Sequence, residues 1–357
     1  MKNGVTLQDI ADKTHVSKAL VSRVLNNREV RVSVQKREQI LETANEMGYL
    51  SNSQILSSGS SPSLNKTIAF LLPNINSTFM STIADAVTSH SYHNGYSTLL
   101  FDYHQDSSME ARYLELCHSL GVSGVILDSI TSVKSNENYI KKMGGWDLPI
   151  VYLDCYPNSD ESLIVTSTNK ESMYRLTESM IARGHKNILS VIQDRSTYTN
   201  VSMNRLNGYY EAMDQHGLRG YNEIIYPDRS LDQQPIFYLL NSETNFSAFI
   251  IHTGSDIHGF CEMIHNTRYA ERHDYELAVF DDFYINYRDY MSGVNQDVYS
   301  RIVCNMAQRP KEMAAKAVDM VIDKIKKGDS YPPQKVFIDC DLTFANDAAS
   351  QNISEPQ

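Results

Sequence analysis

From Thr67 onward the chain alternates between two hydrophobic periods, and that alternation limits its fold more than any other feature. Ile68–Leu72, Tyr96–Phe101, Val125–Leu127 and Ile150–Leu153 are short apolar runs. They are too short for helices and too continuously apolar for strands with one wet face. That is the pattern of strands buried on both sides of a parallel sheet. Helical stretches separate them, two of them closed by Gly95 and Gly121. A second series begins near Leu163 and includes Ile188–Ile192, Ile224–Tyr226, Ala248–Ile251 and Leu277–Phe280. Its helices are predicted at about 170–183, 203–216 and 257–265. Alternating units of this kind form doubly wound parallel sheets, and two series in tandem predict two similar lobes. A long helix over about 311–327 and a late strand, Val336–Asp339, follow, and the tail after Ala345 is polar.

The first fifty residues read differently. Thr6 is placed to cap a helix, with Asp9 three residues later as its capping-box partner. Leu7, Ile10 and Ala11 then give one apolar face. Thr14-His15 makes a turn, Ser17 caps a second helix, and Val16 is set to staple onto Val21. Val21, Val24 and Leu25 face inward. Lys18 with Ser22, and Ala19 with Arg23, are left as i, i+4 pairs on the outer side. Such a helix offers donors and a small apolar contact to base edges in a major groove. A third helix starts at the Ser33 cap, with Leu41, Ala44 and Met47 closing a small core and Gly48 ending it. Capped helix pairs also occur in other domains, so a plain helical hairpin is the competing reading of the geometry.

Composition supports a multidomain globular protein. The chain has 357 residues, of which 41% are hydrophobic and 21% charged. That length suits two or three domains. No apolar run approaches a membrane span, and Gln8, Asp9, Asp12 and Lys13 interrupt any signal-peptide core. The five cysteines are scattered with no C-x-x-C pair, as expected of reduced thiols in the cytoplasm. The net charge of −11 is unevenly placed. Residues 1–50 carry eight Lys/Arg against six Asp/Glu, a balance of +2, which leaves −13 on the rest. A mildly basic head on an acidic body lets the head approach DNA and keeps the body away. His252, Asp256, His258 and His265 invite a metal reading, but no His pair has i, i+4 spacing. No metal or cofactor is expected. Neither a phosphate-binding glycine motif nor a nucleophile elbow is present, so an enzyme is not expected either.

Val-Thr-Leu-Gln-Asp-Ile-Ala (5–11), Val-Ser followed by Val-Ser-Arg-Val-Leu-Asn (16–26), and the later Val-Ser and Gly-Tyr resemble the headpiece of the LacI/GalR family of bacterial transcription regulators. The resemblance continues through Lys-Thr-Ile-Ala-Phe-Leu-Leu-Pro-Asn-Ile-Asn-Ser-Thr-Phe (66–79), Arg-Gly-His-Lys-Asn-Ile (183–188), Asn-Arg-Leu-Asn-Gly-Tyr (204–209) and Val-Phe-Asp-Asp-Phe (279–283). It covers roughly residues 5–345. It implies an α/β fold: an N-terminal all-α helix-turn-helix headpiece and a two-lobed type I periplasmic-binding-protein-like body with doubly wound parallel sheets. The implied domains are a headpiece at 1–50, a hinge or linker at 51–66, an effector-binding and dimerisation body at 67–345, and a flexible tail at 346–357. Lobe crossings are expected near 165, 290 and 330, with the ligand between the lobes.

The implied function is a cytoplasmic, homodimeric repressor of operator DNA controlled by a small-molecule effector, with a sugar as first choice. A corepressor mode answering a nucleobase or another metabolite is the alternative, and a pure solute-binding protein is the rival from another class. In the headpiece, Thr6, Ser17 and Asn26 hold phosphates or cap helices, while Lys18, Ala19, Ser22 and Arg23 face bases. His15 stands where the family more often has Gly, and Leu20 where it has Thr. In the hinge the family's usual Pro is Ser51 and its leucine lever falls on Ser58, so Leu56 intercalates only with a change of register. The effector contacts carried over are Arg205, Asp281, Asp154, Phe79 and Thr253. Arg205 with Asp281 would share adjacent hydroxyls, one as fork-shaped donor and the other as acceptor. The competing roles are an interlobe ion pair for Arg205, a loop cap for Asp281 and a core position for Phe79.

Overall fold

Helix α1 (Leu7–Thr14) begins with the capping box read from the sequence. Thr6 N–H donates to Asp9 Oδ2 at 2.7 Å, and Asp9 N–H donates to Thr6 Oγ1 at 3.4 Å. It ends at His15, whose φ of 53° and ψ of 45° are left-handed. That conformation favours glycine, and here an imidazole-bearing residue occupies it. Helix α2 (Lys18–Leu25) starts where Leu20 N–H donates to Ser17 Oγ at 3.2 Å. Helix α3 (Val34–Glu46) closes the bundle. Ile10, Ala11, Val21, Val24, Leu25, Ile40 and Ala44 form its core, with Met47 packed against it. Leu41, expected inside, is 40% exposed, and Ile40 fills that role instead. The one-residue error reflects α3's polar surface, on which Ile40 and Leu41 are adjacent and only one can face inward.

The computed structural model describes residues 6–25, 30, 32–47, 66–129, 148–156, 162–193, 199–226, 229–281 and 296–345. Asn26, Gly48, Ser51, Leu56 and Ser58 lie outside them. The chain divides into two compact units, one of Met1–Thr67 with Leu114–Ser123 and the other of Ile68–Tyr113 with Gly124–Gln357.

The larger unit holds two six-stranded sheets. The first contains β1 (Thr67–Leu72), β2 (Ser97–Asp102), β3 (Gly124–Leu127), β4 (Ile150–Leu153), β5 (Leu163–Ser167) and β11 (Gln334–Ile338), in the order β11-β5-β4-β3-β1-β2. The second contains β6 (Ile188–Gln193), β7 (Tyr221–Ile225), β8 (Ala248–Ile251), β9 (Glu276–Phe280), β10 (Ile302–Ala307) and β12 (Asp341–Phe344), in the order β12-β10-β9-β8-β6-β7. The pairs β1–β3, β3–β4, β4–β5 and β5–β11 are parallel, as are β7–β6, β6–β8, β8–β9 and β9–β10. Only β10–β12 among these runs antiparallel. Strands β1 and β3 are buried along their whole length, as continuous apolar runs require.

The helices α4 (Thr78–His93), α5 (Ser107–Leu120), α6 (Asn169–Ala182), α7 (Asn200–Gln215), α8 (Pro235–Leu240), α9 (Ile257–Ile264), α10 (Gln296–Tyr299) and α11 (Pro310–Lys327) complete the described helices. Helix α11 buries Met313, Ala314, Ala317, Val318 and Val321 in the first lobe's core, beside Ile83 and Val87 of α4. The second lobe has cores on both sheet faces, one around Phe249 and Phe260, the other around Met173, Tyr209 and Phe280.

The first crossing falls where the sequence placed it, near 165, and the other two do not. Strand β5 belongs to the first sheet and does not open the second series. The chain therefore leaves the first lobe after Ser167, returns between Ala307 and Pro310, and crosses again between Ile338 and Asp341. The expected crossings near 290 and 330 thus fall earlier than those observed. The cause is β10, whose buried Asn305 and two sulfur side chains break the apolar run that would have announced it.

Helices α6 and α7 approach most closely at Gly208. A Cβ there would lie 2.1 Å from the Lys170 carbonyl oxygen and 3.0 Å from Tyr174 N. Both are backbone atoms, so no side chain can move aside. Gly208→Ala should lower unfolding free energy by about 1–3 kcal/mol, the usual cost of overpacking. Urea denaturation checks it, and an unchanged midpoint would mean the two helices are not held at that distance.

Candidate ligand cleft and DNA-contacting face

Four acidic or imidazole side chains stand one residue beyond the carboxyl ends of parallel strands. Asp128 follows β3, Asp154 follows β4, His252 follows β8 and Asp281 follows β9. This is where open parallel sheets place ligand groups, because the strand ends leave backbone and loop free to turn toward a crevice. Two of the four hold unusual backbone: Asp154 has φ 68° and Asp281 φ 108°. Positive φ costs a residue with a Cβ, and such strain collects at functional sites.

Arg205, on the second turn of α7, lies among them and is only 3% exposed. Its Nε donates to Asn169 Oδ1 at 2.8 Å and its Nη1 to the His252 carbonyl at 2.7 Å. Its guanidinium carbon sits 3.7 Å from the centre of the Phe280 ring. A planar cation is held here by two acceptors and an aromatic face. Its field reaches Asp154, and so does that of Asp281. Asp281 is fixed from both sides: Gly254 N–H donates to Oδ2 at 3.0 Å and Gln308 Nε2 to Oδ1 at 2.7 Å.

Gln308 is also a link to the crossings. Its Oε1 accepts from Ser167 Oγ at 2.7 Å, so the end of β5 and the end of β9 are joined through one amide. A second tie runs from Tyr156 N–H to Asn200 Oδ1 at 3.2 Å, joining the segment after β4 to the start of α7.

Several buried polar atoms at this place have no hydrogen-bond partner: Asp154 Oδ1, Asn200 Nδ2 and His252 Nδ1. Burial raises the Asp154 carboxyl to about 6, with Asp281 adding to the rise and Arg205 opposing it. Asp128 is raised well above the carboxylate range, first by burial and then by Asp154. Burial and the nearby guanidinium hold the His252 imidazole neutral, lowering it to about 3. Its Nε2 lies 2.7 Å from Ser190 Oγ, and that hydroxyl donates to Asn222 Oδ1 at 3.1 Å. Ser190 has one proton, so its oxygen accepts from His252 Nε2–H, and the bare Nδ1 is an acceptor. Asp128, Asp154 and Cys155 bring one ligand atom each within 4.8 Å of one another, the grouping among the described residues with metal-like spacing.

Of the five carried-over cleft residues, Arg205, Asp154 and Asp281 share one electrostatic neighbourhood. Thr253 lies half-buried between His252 and Gly254, at the start of the 3-10 turn Gly254–Asp256. Phe79 is half-buried against the first lobe's core. Sequence reasoning missed Asp128, Asn200 and Gln308, while Asn169 stands at a family cleft position whose usual Asp-Asn is Thr168-Asn169 here. Only the strand-end position of Asp128 carried a signal, since a charged residue directly after an apolar run marks a strand terminus. The headpiece residues Thr6, Ser17, Lys18, Ala19 and Arg23 are exposed, and Ser22 is half-buried. His258, from the rejected metal set, is exposed and pairs with Glu262 at 3.6 Å.

Residues 65–343 match the family described as periplasmic binding proteins and sugar binding domain of LacI family, and residues 6–52 match bacterial regulatory proteins, lacI family. The chain is 29% identical over 221 residues to the NTD biosynthesis operon regulator NtdR of Bacillus subtilis, covering 62% of this chain and 64% of that protein. It is 31% identical over 228 residues to the HTH-type transcriptional regulator GntR of Escherichia coli, covering 63% and 65%. These matches span a little under two thirds of each relative. The solved structure of the lac repressor dimer bound to operator and the anti-inducer ONPF shares the fold, with a TM-score of 0.62, 18% identity, and coverage of 96% of this chain and 98% of that one.

The raised Asp154 carboxyl has a consequence for stability. Its folded value of about 6 exceeds the ordinary 3.8, so the folded state prefers the proton. Stability from this group is full below the ordinary value and declines as pH rises through 6. Asp154→Asn, which mimics the protonated form, should therefore match the parent at pH 4 and exceed it in melting temperature above pH 7. Equal melting temperatures at both pH values would mean the carboxylate is not destabilised.

Proposed function

The chain belongs to the LacI family of bacterial regulatory proteins, and we propose that it is a DNA-binding transcriptional repressor whose grip on operator DNA is set by a sugar bound between its lobes. The carrying observation is the set of polar groups at the strand ends: a buried arginine, two carboxylates and three polar atoms without partners. Buried polar atoms without partners are costly in a finished core and ordinary in a site awaiting a ligand.

In this reading residues 1–50 form the headpiece, 51–66 the linker, 67–345 the effector and dimer body, and 346–357 the tail. The chain acts in the cytoplasm as a homodimer, because two headpieces reading two half-sites require two-fold symmetry. No described helix is long and apolar enough to cross a membrane. The exposed side of α2 enters the major groove, with Lys18 and Ala19 as the specificity choices and Arg23 and Ser22 beside them. Thr6, Ser17 and Asn26 hold phosphates or cap helices, and Thr6 and Ser17 cap α1 and α2. Leu56 enters the minor groove only with a change of hinge register.

Ligand control follows from the two sheets. A ligand that bridges Arg205 and Asp281 to Asp154 favours one lobe arrangement, and it shifts the equilibrium only by its differential affinity for the two. Gln308, bonded to both Asp281 and Ser167, carries that preference to the crossing strands. Binding of ligand weakens the hold on DNA.

Two variants test this. Lys18→Ala should relax preference at one operator base pair, changing relative affinities there by about 1–3 kcal/mol in anisotropy titrations against single-base variants. Uniform weakening over all variants would make Lys18 a phosphate contact. Arg205→Lys keeps the charge and loses the fork. It should leave operator affinity in place and abolish release by ligand; undiminished release would remove Arg205 from the ligand site.

A further inference from the structure

The charges around Arg205 do not balance. Among the described residues two carboxylates, Asp154 and Asp281, stand against one guanidinium, while burial raises the neighbouring Asp128 well above the carboxylate range and leaves it uncharged. Among the described residues that guanidinium donates to an amide oxygen and a backbone carbonyl and covers an aromatic ring; neither of these bonds goes to a carboxylate. His252 adds no charge, because burial keeps its imidazole neutral.

The unpartnered atoms sort by chemistry. Both oxygens of Asp281 are engaged, by Gly254 and Gln308. Asp128 Oδ1 accepts from Cys155 N–H at 3.1 Å. Asp154 Oδ1 accepts from no described residue, though the residue is only 7% exposed and its strained backbone holds it at the strand end. His252, whose carbonyl is already on Arg205, keeps an acceptor at Nδ1 and is 1% exposed. Two vacant acceptors, one of them a buried carboxylate, call for a donor that brings positive charge. A hydroxyl would supply the hydrogen bond and leave the charge excess in place. An ammonium supplies both, and hydrogen bonds between charged partners are the stronger kind.

Resting on the reading of this cleft as the effector site, we infer that its ligand carries a cationic amine received by Asp154, so that the site takes an amino sugar in preference to the neutral parent sugar. Asn200 Nδ2, the remaining buried donor, serves a hydroxyl or ring oxygen of the same ligand. A sugar phosphate or sugar acid is disfavoured for the same reason, since its anion would meet Asp154 and Asp281.

The test uses the full chain and matched pairs: glucose with glucosamine, galactose with galactosamine, mannose with mannosamine. Each is titrated calorimetrically at neutral pH in the presence of EDTA. The expected result is that in at least one pair the amine binds about tenfold or more tightly than its parent. Asp154→Asn, confirmed folded by its melting curve, should bring that pair to near equality. If a neutral parent binds as tightly as its amine, the inference fails while the sugar effector stands. If no member of any pair binds, the sugar reading fails with it. A separate arm titrates zinc without chelator. Zinc binding that raises the melting temperature and is lost in Cys155→Ser would mean that a metal offsets the carboxylates, and that too overturns the inference.

Discussion

Taking a guanidinium out of water is expensive unless acceptors and countercharge are built around it. Arg205 is that group here, and much of the body's local architecture supplies its surroundings. Asn169 must sit at the start of α6, and the carbonyl of His252 must follow β8 directly. Phe280 must end β9 with its ring flat against the cation. The close approach of α6 and α7 at Gly208 sets the distance between Asn169 and Arg205, which those two helices carry. Parallel strands make this convergence possible, because their carboxyl ends lie on one side of a sheet and their loops meet there.

The same site carries costs of its own. Asp154 and Asp281 adopt positive φ without being glycine, and Asp154 is a buried carboxylate with an empty oxygen. A sequence chosen for stability alone would have neither. Both are consistent with a region that settles only when something binds, and such a region suits a protein that has to exist in two arrangements. Gln308, bonded to Ser167 and Asp281, and Asn200, which accepts from Tyr156 N–H, tie segments of the two lobes together beside the crossings.

Most of the strands were legible because strands buried on both faces appear as uninterrupted apolar runs, and the helix caps were legible because Thr6-Asp9 and Ser17-Leu20 act over three residues. Tertiary choices were not. Strand β5 looks like β6 in composition, yet it pairs with β4 and β11. Strand β10 hides behind Asn305, whose amide neighbours Asp281 and Thr343. Strand β12 is a half-exposed edge with too little apolar character to stand out. The Arg183-Gly184-His185 landmark was noticed as wording; the structure gives its reason, since Arg183 and His185 both hold Glu276 at the start of β9. Arg205, Asp154 and Asp281 came from resemblance to a family. Asn200 and Gln308 are part of the site only because folding brings distant segments together, and nothing in their local sequence reports that.

The central claim is that the cleft and the headpiece share one equilibrium. Thermodynamic linkage tests it without assuming where any coupling path runs. Using the gene's own upstream DNA at fixed salt, operator affinity is measured with and without saturating ligand, and ligand affinity is measured with and without saturating operator. The account predicts the same factor from both, different from one and in the direction of mutual weakening. A ligand affinity that does not change when operator is bound would contradict it.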